Sequence, residues 1–190
     1  TNSRLKKITE SEISTGSKRG LKSIRLRTNL LRQSILGFGG AFTEASASIY
    51  DQLDKNKKSE IIEAYFGKNG NRYNMGRTHI NSCDFSLGNY ALCETKDRKL
   101  TGFSIQRDKK MLIPFIKAAL KKASVPIHIM ASPWSPPPWM KTNNQMNHGG
   151  KLKEEYHDTW AEYYCKYIEF YEQDGVPIWG ISVQNEPEAV

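Results

Sequence analysis

Cysteine is scarce. Cys83, Cys93 and Cys165 are the only three in 190 residues, an odd number with no close pair. That excludes a disulfide framework and any Cys-based metal or redox motif. It predicts free, mostly buried thiols in a reducing compartment, with a Cys83–Cys93 bridge as the lesser alternative. The four histidines (His79, His128, His148, His157) show no ligand spacing, so none is expected to hold a metal. No run approaches the roughly 18 apolar residues of a helical membrane span. No charged start leads into an apolar stretch and a small-residue cleavage site, so no signal peptide is visible. Together with the unpaired thiols this favours a cytoplasmic over a secreted location. A removed leader stays open, because the chain starts at Thr1. No short repeat underlies the sequence, which excludes a solenoid.

Acidic side chains are scarce at one end. Residues 1–35 carry nine basic groups (Arg4, Lys6, Lys7, Lys18, Arg19, Lys22, Arg25, Arg27, Arg32) against Glu10 and Glu12, which accounts for seven of the eight net positive charges. The rest of the chain is nearly neutral. A basic strip can bind polyanions, but no aromatics interleave it and no recognition-helix pattern accompanies it. Solvated faces of short strands are therefore expected, and no nucleic-acid partner.

What is present is an alternation. Residues 1–33 are polar, with Leu21, Ile24 and Leu26 among Lys and Arg, and predict a β-strand appendage that forms part of an all-β side domain. From Ser34 the texture changes. "SILGFGGAF" predicts a strand, and Asp51–Phe66 a helix that stops at Gly67. "RYNMGRTHI" (72–80) predicts a second strand and 108–123 an amphipathic helix. "VPIHIMAS" (125–132) predicts a third strand, 154–174 a long helix whose Trp160, Tyr163, Tyr164, Tyr167 and Phe170 form a core face, and "VPIWGISVQN" (176–185) a fourth strand. Four such alternations with two-faced strands imply an α/β fold with a parallel sheet covered by helices.

In parallel α/β sheets ligands bind at the carboxyl ends of the strands. Here those ends hold Gly39, Gly40, Thr43 and Glu44; then Arg77, His79, Asn81, Asp84 and Phe85; then Ser132, Trp134 and a proline-rich loop to Trp139; then Asn185 and Glu186. Carboxylates, an amide, an arginine and tryptophan suit a sugar, whose hydroxyls need donors and acceptors and whose C–H face needs an aromatic. The Gly39-Gly40 pair lacks the lysine and serine of a phosphate loop and is read as close strand-to-helix packing.

"GFGGAFTEA", "YNMGRTHINSCDFS", "ASPWSPPPWMKTN" and "ISVQNEPEA", in this order, resemble glycoside hydrolase family 30, the family of glucosylceramidases and related β-glycosidases. The resemblance covers about residues 34–190. It implies the first half, strands one to four, of a (β/α)8 TIM barrel, and a retaining hydrolase of β-glucosides or a β-linked glycolipid, with β-xylosides and β-1,6-glucans also accepted by relatives. It implies Glu186 as the general acid/base and Asn185 as the donor to the sugar 2-hydroxyl. Asp84, Phe85 and Trp134 would bind the substrate, and Arg77 would orient a catalytic carboxylate. Trp139 stays open between platform and core, and Arg77 between substrate contact and structural ion pair. Retention requires a second carboxyl about 5 Å from the first, and no cofactor. The family places that nucleophile on strand seven, so the C-terminal half of the barrel is an expected partner and the residues alone are expected to be inactive. A sugar-binding half-barrel without turnover is the alternative.

Overall fold

The computed structural model describes residue 24 and residues 27–188. The chain divides into two compact units, Thr1–Ile35 and Leu36–Val190. In the first, the Leu30 N–H donates to the Arg27 carbonyl at 3.1 Å and closes a turn. Most of the β appendage expected over 1–33, and most of the basic strip, lie outside the described residues.

The second unit begins with strand β1 (Gly39–Phe42), followed by helices α1 (Glu44–Gln52) and α2 (Lys55–Phe66) and strand β2 (Met75–Ile80). Helix α3 (Leu112–Lys122), strand β3 (His128–Pro133), helix α4 (His157–Gln173) and strand β4 (Ile178–Ile181) complete it. All four strands run parallel in the spatial order β1-β2-β3-β4. Each new strand is thus added on the same side of the last. A doubly wound sheet reverses direction at a switch point; a barrel wall does not.

The elements depart from the sequence expectations at their ends, each time because a side chain captures backbone. The single helix expected from Asp51 is two. Thr43 caps α1 in a reciprocal box, its hydroxyl accepting from Ser46 N–H at 3.2 Å while Ser46 Oγ accepts from Thr43 N–H at 3.1 Å. Asp54 then caps α2 by accepting from the Asn56 and Lys57 N–H groups, which turns Leu53 extended and breaks the run. The helix expected from 108 starts with a 3-10 turn over Asp108–Lys110, whose buried Asp108 is held by tyrosines, and continues as α3 only from Leu112. The proline-rich loop closes on a 3-10 turn at Pro138–Met140. Strand β4 ends at Ile181, four residues short of expectation. Its continuation still follows β3, because Ser182 N–H donates to Ala131 O and Asn185 N–H to Pro133 O at 2.8 Å.

The core lies between the sheet and the helices. Phe42 stacks on Phe66 at 5.6 Å and meets Phe115 edge-on at 5.3 Å, joining β1, α2 and α3. Ile113, Ile116 and Ala119 of α3 and Ile129 and Ala131 of β3 are buried beside them. The face expected on α4 is buried at Trp160, Tyr163, Tyr164 and Tyr167, with Tyr171 added and Phe170 only half-buried. The outer strands and the residues flanking them keep apolar groups in solvent, among them Phe38, Trp179, Ile181 and Val183. All three cysteines are free: Cys93 is buried, Cys83 half-buried and Cys165 exposed, so the bridge is not formed and one thiol departs from the buried expectation. Among the described residues no helix is long and apolar enough to cross a membrane.

Gly76 lies on β2 where side chains of the flanking strands β1 and β3 crowd its backbone. A Cβ there would stand 2.6 Å from Phe42 Cε2 and 3.0 Å from Ile129 Cδ1, and Phe42 cannot retreat between Phe66 and Phe115. Gly76→Ala should therefore cost about 1–3 kcal/mol, read as a lower urea midpoint; a variant as stable as the parent would show that the Phe42 ring has room to move.

Candidate active site

The carboxyl ends of β2, β3 and β4 meet at Arg77. Its Nε donates to Ser132 Oγ at 2.9 Å and its Nη2 to Asn185 Oδ1 at 2.8 Å, while the guanidinium lies over the Trp134 ring at 4.8 Å. One side chain thus ties together three of the expected site positions. Guanidinium groups only donate, so the Asn185 atom facing Arg77 must be its oxygen. The amide nitrogen is left as a donor directed away from Arg77. Gln184 fixes the same stretch from its other side, its Nε2 donating to the Trp134 carbonyl at 2.9 Å, and Tyr164 of α4 donates to the Val183 carbonyl at 2.7 Å.

Trp134 separates two cavities. One, of about 400 Å³, is lined by Ser82, Cys83, Asp84, Asn89 and Trp134 among others. The other, of about 510 Å³, is lined by Trp134, Lys141, Trp160, Asn185 and Glu186 among others. The structure thus brings Trp134, Asn185 and Glu186 to one cavity and Asp84 to its neighbour. Phe85 lines neither. Its side chain stands in solvent, and only its carbonyl is engaged, accepting from Ala45 N–H at 2.9 Å. Trp139, left open by the sequence, turns to the core: Nε1 donates to the Cys93 carbonyl at 3.0 Å and the ring packs edge-on to Tyr156.

Glu186, expected directly after the fourth strand, lies further on because β4 ends at Ile181, and its side chain is exposed. Its φ of 42° falls in the left-handed region, which side-chain-bearing residues enter at a cost. Arg77, expected to orient a catalytic carboxylate, donates here to the amide next to Glu186.

Beneath the strand ends lies a buried polar network whose roles single residues in sequence could not announce. Glu44, 4% exposed, accepts from Arg107 Nε at 2.7 Å and Nη2 at 3.2 Å and from Leu87 N–H at 2.8 Å. Burial pushes its carboxyl up, but Arg107 and the Leu87 amide outweigh burial and the net shift is downward. The loop that carries Asp84 is thereby pinned in its middle. His79 Nε2 accepts from Glu44 N–H at 3.2 Å, so Nδ1 carries the proton and donates to Asn81 O at 2.6 Å. The ring is neutral, in keeping with the downward push of burial, which the Asp108 carboxylate and the Asn81 carbonyl only partly oppose. Asp108 accepts from Tyr90 and Tyr171 hydroxyls, both at 2.7 Å, and burial pushes its carboxyl up. Asn81, at φ 62°, donates to Ser135 O and accepts from Leu92 N–H and Tyr163 OH, which clamps the loops after β2 and β3. The one sequence signal was polar residues crowding the end of a buried strand. Among the described residues no three His, Cys, Asp or Glu side chains gather as metal ligands.

Residues 35–190 match the glycosyl hydrolase family 30 TIM-barrel domain. The chain belongs to glycosyl hydrolase family 30. Within this family it is 40% identical over 163 residues to the lysosomal acid glucosylceramidase of Mus musculus, covering 83% of the chain and 32% of that protein. It is 30% identical over 172 residues to an endo-1,6-β-D-glucanase of Trichoderma harzianum, covering 82% and 35%. Among solved structures, SrfJ from Salmonella typhimurium superposes with a TM-score of 0.80 at 43% identity, over 83% of this chain and 36% of that one. The chain spans about a third of the length of the curated relatives it matches. The four parallel strands are accordingly those of a half barrel in this family.

Folded Glu44 holds its proton less readily than it does in the unfolded chain. Its contribution to stability is therefore complete above the ordinary glutamate range and is lost as pH falls through the lowered folded value. Glu44→Gln should cost about 1–3 kcal/mol at neutral pH and progressively less in acid, measured by urea unfolding across pH. An equal penalty at all pH values would show that the side chain acts through shape alone.

Proposed function

We propose that this chain forms the acid/base half of a retaining β-glycosidase acting on β-glucosides, with a glucosyl lipid as the natural substrate class. The observation that carries the reading is the Arg77–Asn185 bond. It fixes the amide with its N–H2 outward, beside Glu186 and against Trp134, which is the arrangement of donor, acid and aromatic platform that a pyranose asks for. The 40% identity to a glucosylceramidase supports glucose as the glycon. The endo-1,6-β-glucanase relative, at 30%, supports the same sugar with another leaving group, and makes a β-1,6-glucan the second reading.

In this reading Glu186 gives its proton to the glycosidic oxygen as the bond to the anomeric carbon breaks, and a second carboxylate attacks that carbon from the opposite face. Glu186, now ionised, then takes a proton from the water that releases the sugar. Asn185 donates to the 2-hydroxyl, and Asp84, in the neighbouring cavity, accepts from glycon hydroxyls. Glu186 is the sole carboxylate on the wall of its cavity, and Glu44 is committed to Arg107. We therefore place the nucleophile outside residues 36–188. The half that carries the nucleophile would also cover the exposed Glu186.

The test is the pair Glu186→Gln and parent in a polypeptide that includes a nucleophile-bearing half. Hydrolysis of an alkyl β-glucoside should fall about 10²–10⁴-fold in the variant, whereas formation of the glycosyl-enzyme from a substrate whose leaving group needs no proton should fall far less. Equal losses on both substrates would remove Glu186 from the acid role. Turnover by the 190 residues alone, abolished in Glu186→Gln, would overturn the placement of the nucleophile.

A further inference from the structure

The cavity that holds Glu186 has a second feature that an acid/base site does not call for. Lys141 forms part of its wall and is 5% exposed. Its Nζ donates to the Met146 carbonyl at 3.0 Å, one acceptor for an ammonium with three N–H groups. No described Asp or Glu stands within ion-pair distance of it. A buried ammonium is costly unless a negative partner and further hydrogen bonds offset the lost hydration, and burial accordingly pushes Lys141 below the usual lysine range. The surrounding wall repeats the sign, since Lys151 lines the same cavity and Glu186 is its single carboxylate.

The local chain explains how the lysine is held there. Lys141 follows the 3-10 turn Pro138–Met140 and bridges antiparallel to Leu152, which closes the intervening residues into a loop. Asn143 braces that loop from within by donating to the carbonyls of Asn147, His148 and Gly149. Lys153, one residue past the bridge, has acceptors of its own in Trp139 O and Asn144 Oδ1. Of these two lysines beside the bridge, the buried one is the one that lines the cavity. Its backbone is fixed by the bridge, so its ammonium is positioned rather than swept through solvent.

We propose that Lys141 is the core of an oxyanion subsite, and that the natural leaving group carries a negatively charged oxygen group such as a carboxylate, sulfate or phosphate. This rests on the glycoside reading above. An acid protonates the oxygen of the departing group, so the leaving group lies on the side of Trp134 where Glu186 and Lys141 share a cavity, and Asp84 lies on the other. A charged oxygen there gives Lys141 the counter-ion that the described residues do not provide, and Lys151 adds long-range attraction.

The experiment uses three ligands that differ only in charge: phenyl, 4-carboxyphenyl and 4-sulfophenyl β-D-glucoside. Binding is read from tryptophan fluorescence, since Trp134 and Trp160 line the cavity. One or both charged ligands should bind at least about tenfold tighter than the neutral one, the size of a single charge-assisted hydrogen bond, and which of the two gains identifies the anion. The advantage should shrink with added salt, vanish in Lys141→Met and survive in Lys141→Arg, while the neutral ligand is bound alike by all three proteins. Equal affinity for the three ligands in the parent overturns the proposal and leaves the glycoside reading standing, as does a charge preference retained in Lys141→Met. Failure of all three to bind overturns both. If Lys141→Met does not fold by circular dichroism, the parent's own charge preference and its salt dependence decide the question.

Discussion

Arg77 is the constraint on which the candidate site depends. A guanidinium in the middle of a parallel sheet must find acceptors or remain hydrated, and this one finds Ser132 on the neighbouring strand and Asn185 beyond the next. Because it can only donate, it does more than hold the strand ends together. It dictates which way the Asn185 amide points, and its flat face against Trp134 fixes the aromatic wall that both cavities share. Position 77, the pair 132 and 134, and position 185 are far apart in the chain and adjacent here because a parallel sheet places successive carboxyl ends side by side.

The buried polar layer beneath them serves the loops. Glu44, Arg107, His79, Asp108 and three tyrosines are each satisfied by another member or by a loop amide. A network of this kind contributes little net stability for its size, because each group also gave up water. What it does contribute is a single arrangement: the Leu87 amide has one carboxylate to reach, and the stretch carrying Asp84 is set by that bond. Helix α4 plays the same part from the other side, its tyrosine hydroxyls reaching Asn81, Val183 and Asp108 while their rings fill the core.

The two cavities also differ in character. The one at Asp84 offers acceptors, and the one at Glu186 sets a single carboxylate beside two lysines, Lys141 and Lys151. A glycoside asks for both, with acceptors for the sugar and an acid for the bond. The surplus of positive charge belongs to neither requirement, and for that reason it speaks to the leaving group.

The alternation of strands and helices was legible in the chain because buried, two-faced strands and amphipathic helices write their periodicity locally, at Ile113, Ile116 and Ala119 as at Ile129 and Ala131. The four strand-end motifs were legible for the same reason: each is a contiguous stretch whose residue types suit a sugar. The element ends were not, since Asp54 competing for the backbone of α2 and Asp108 drawn in by Tyr90 and Tyr171 are outcomes of local contests and distant partners. Nor was the direction of the Asn185 amide, the exposure of Phe85, the inward turn of Trp139 or the burial of Lys141. These depend on which residues far apart in the chain come to face each other across a parallel sheet. Periodicity and motif chemistry are properties of neighbours in sequence, and so the sequence determined the class of fold and the candidate residues. Hydrogen-bond direction and burial are properties of neighbours in space, and the tertiary structure alone decided them.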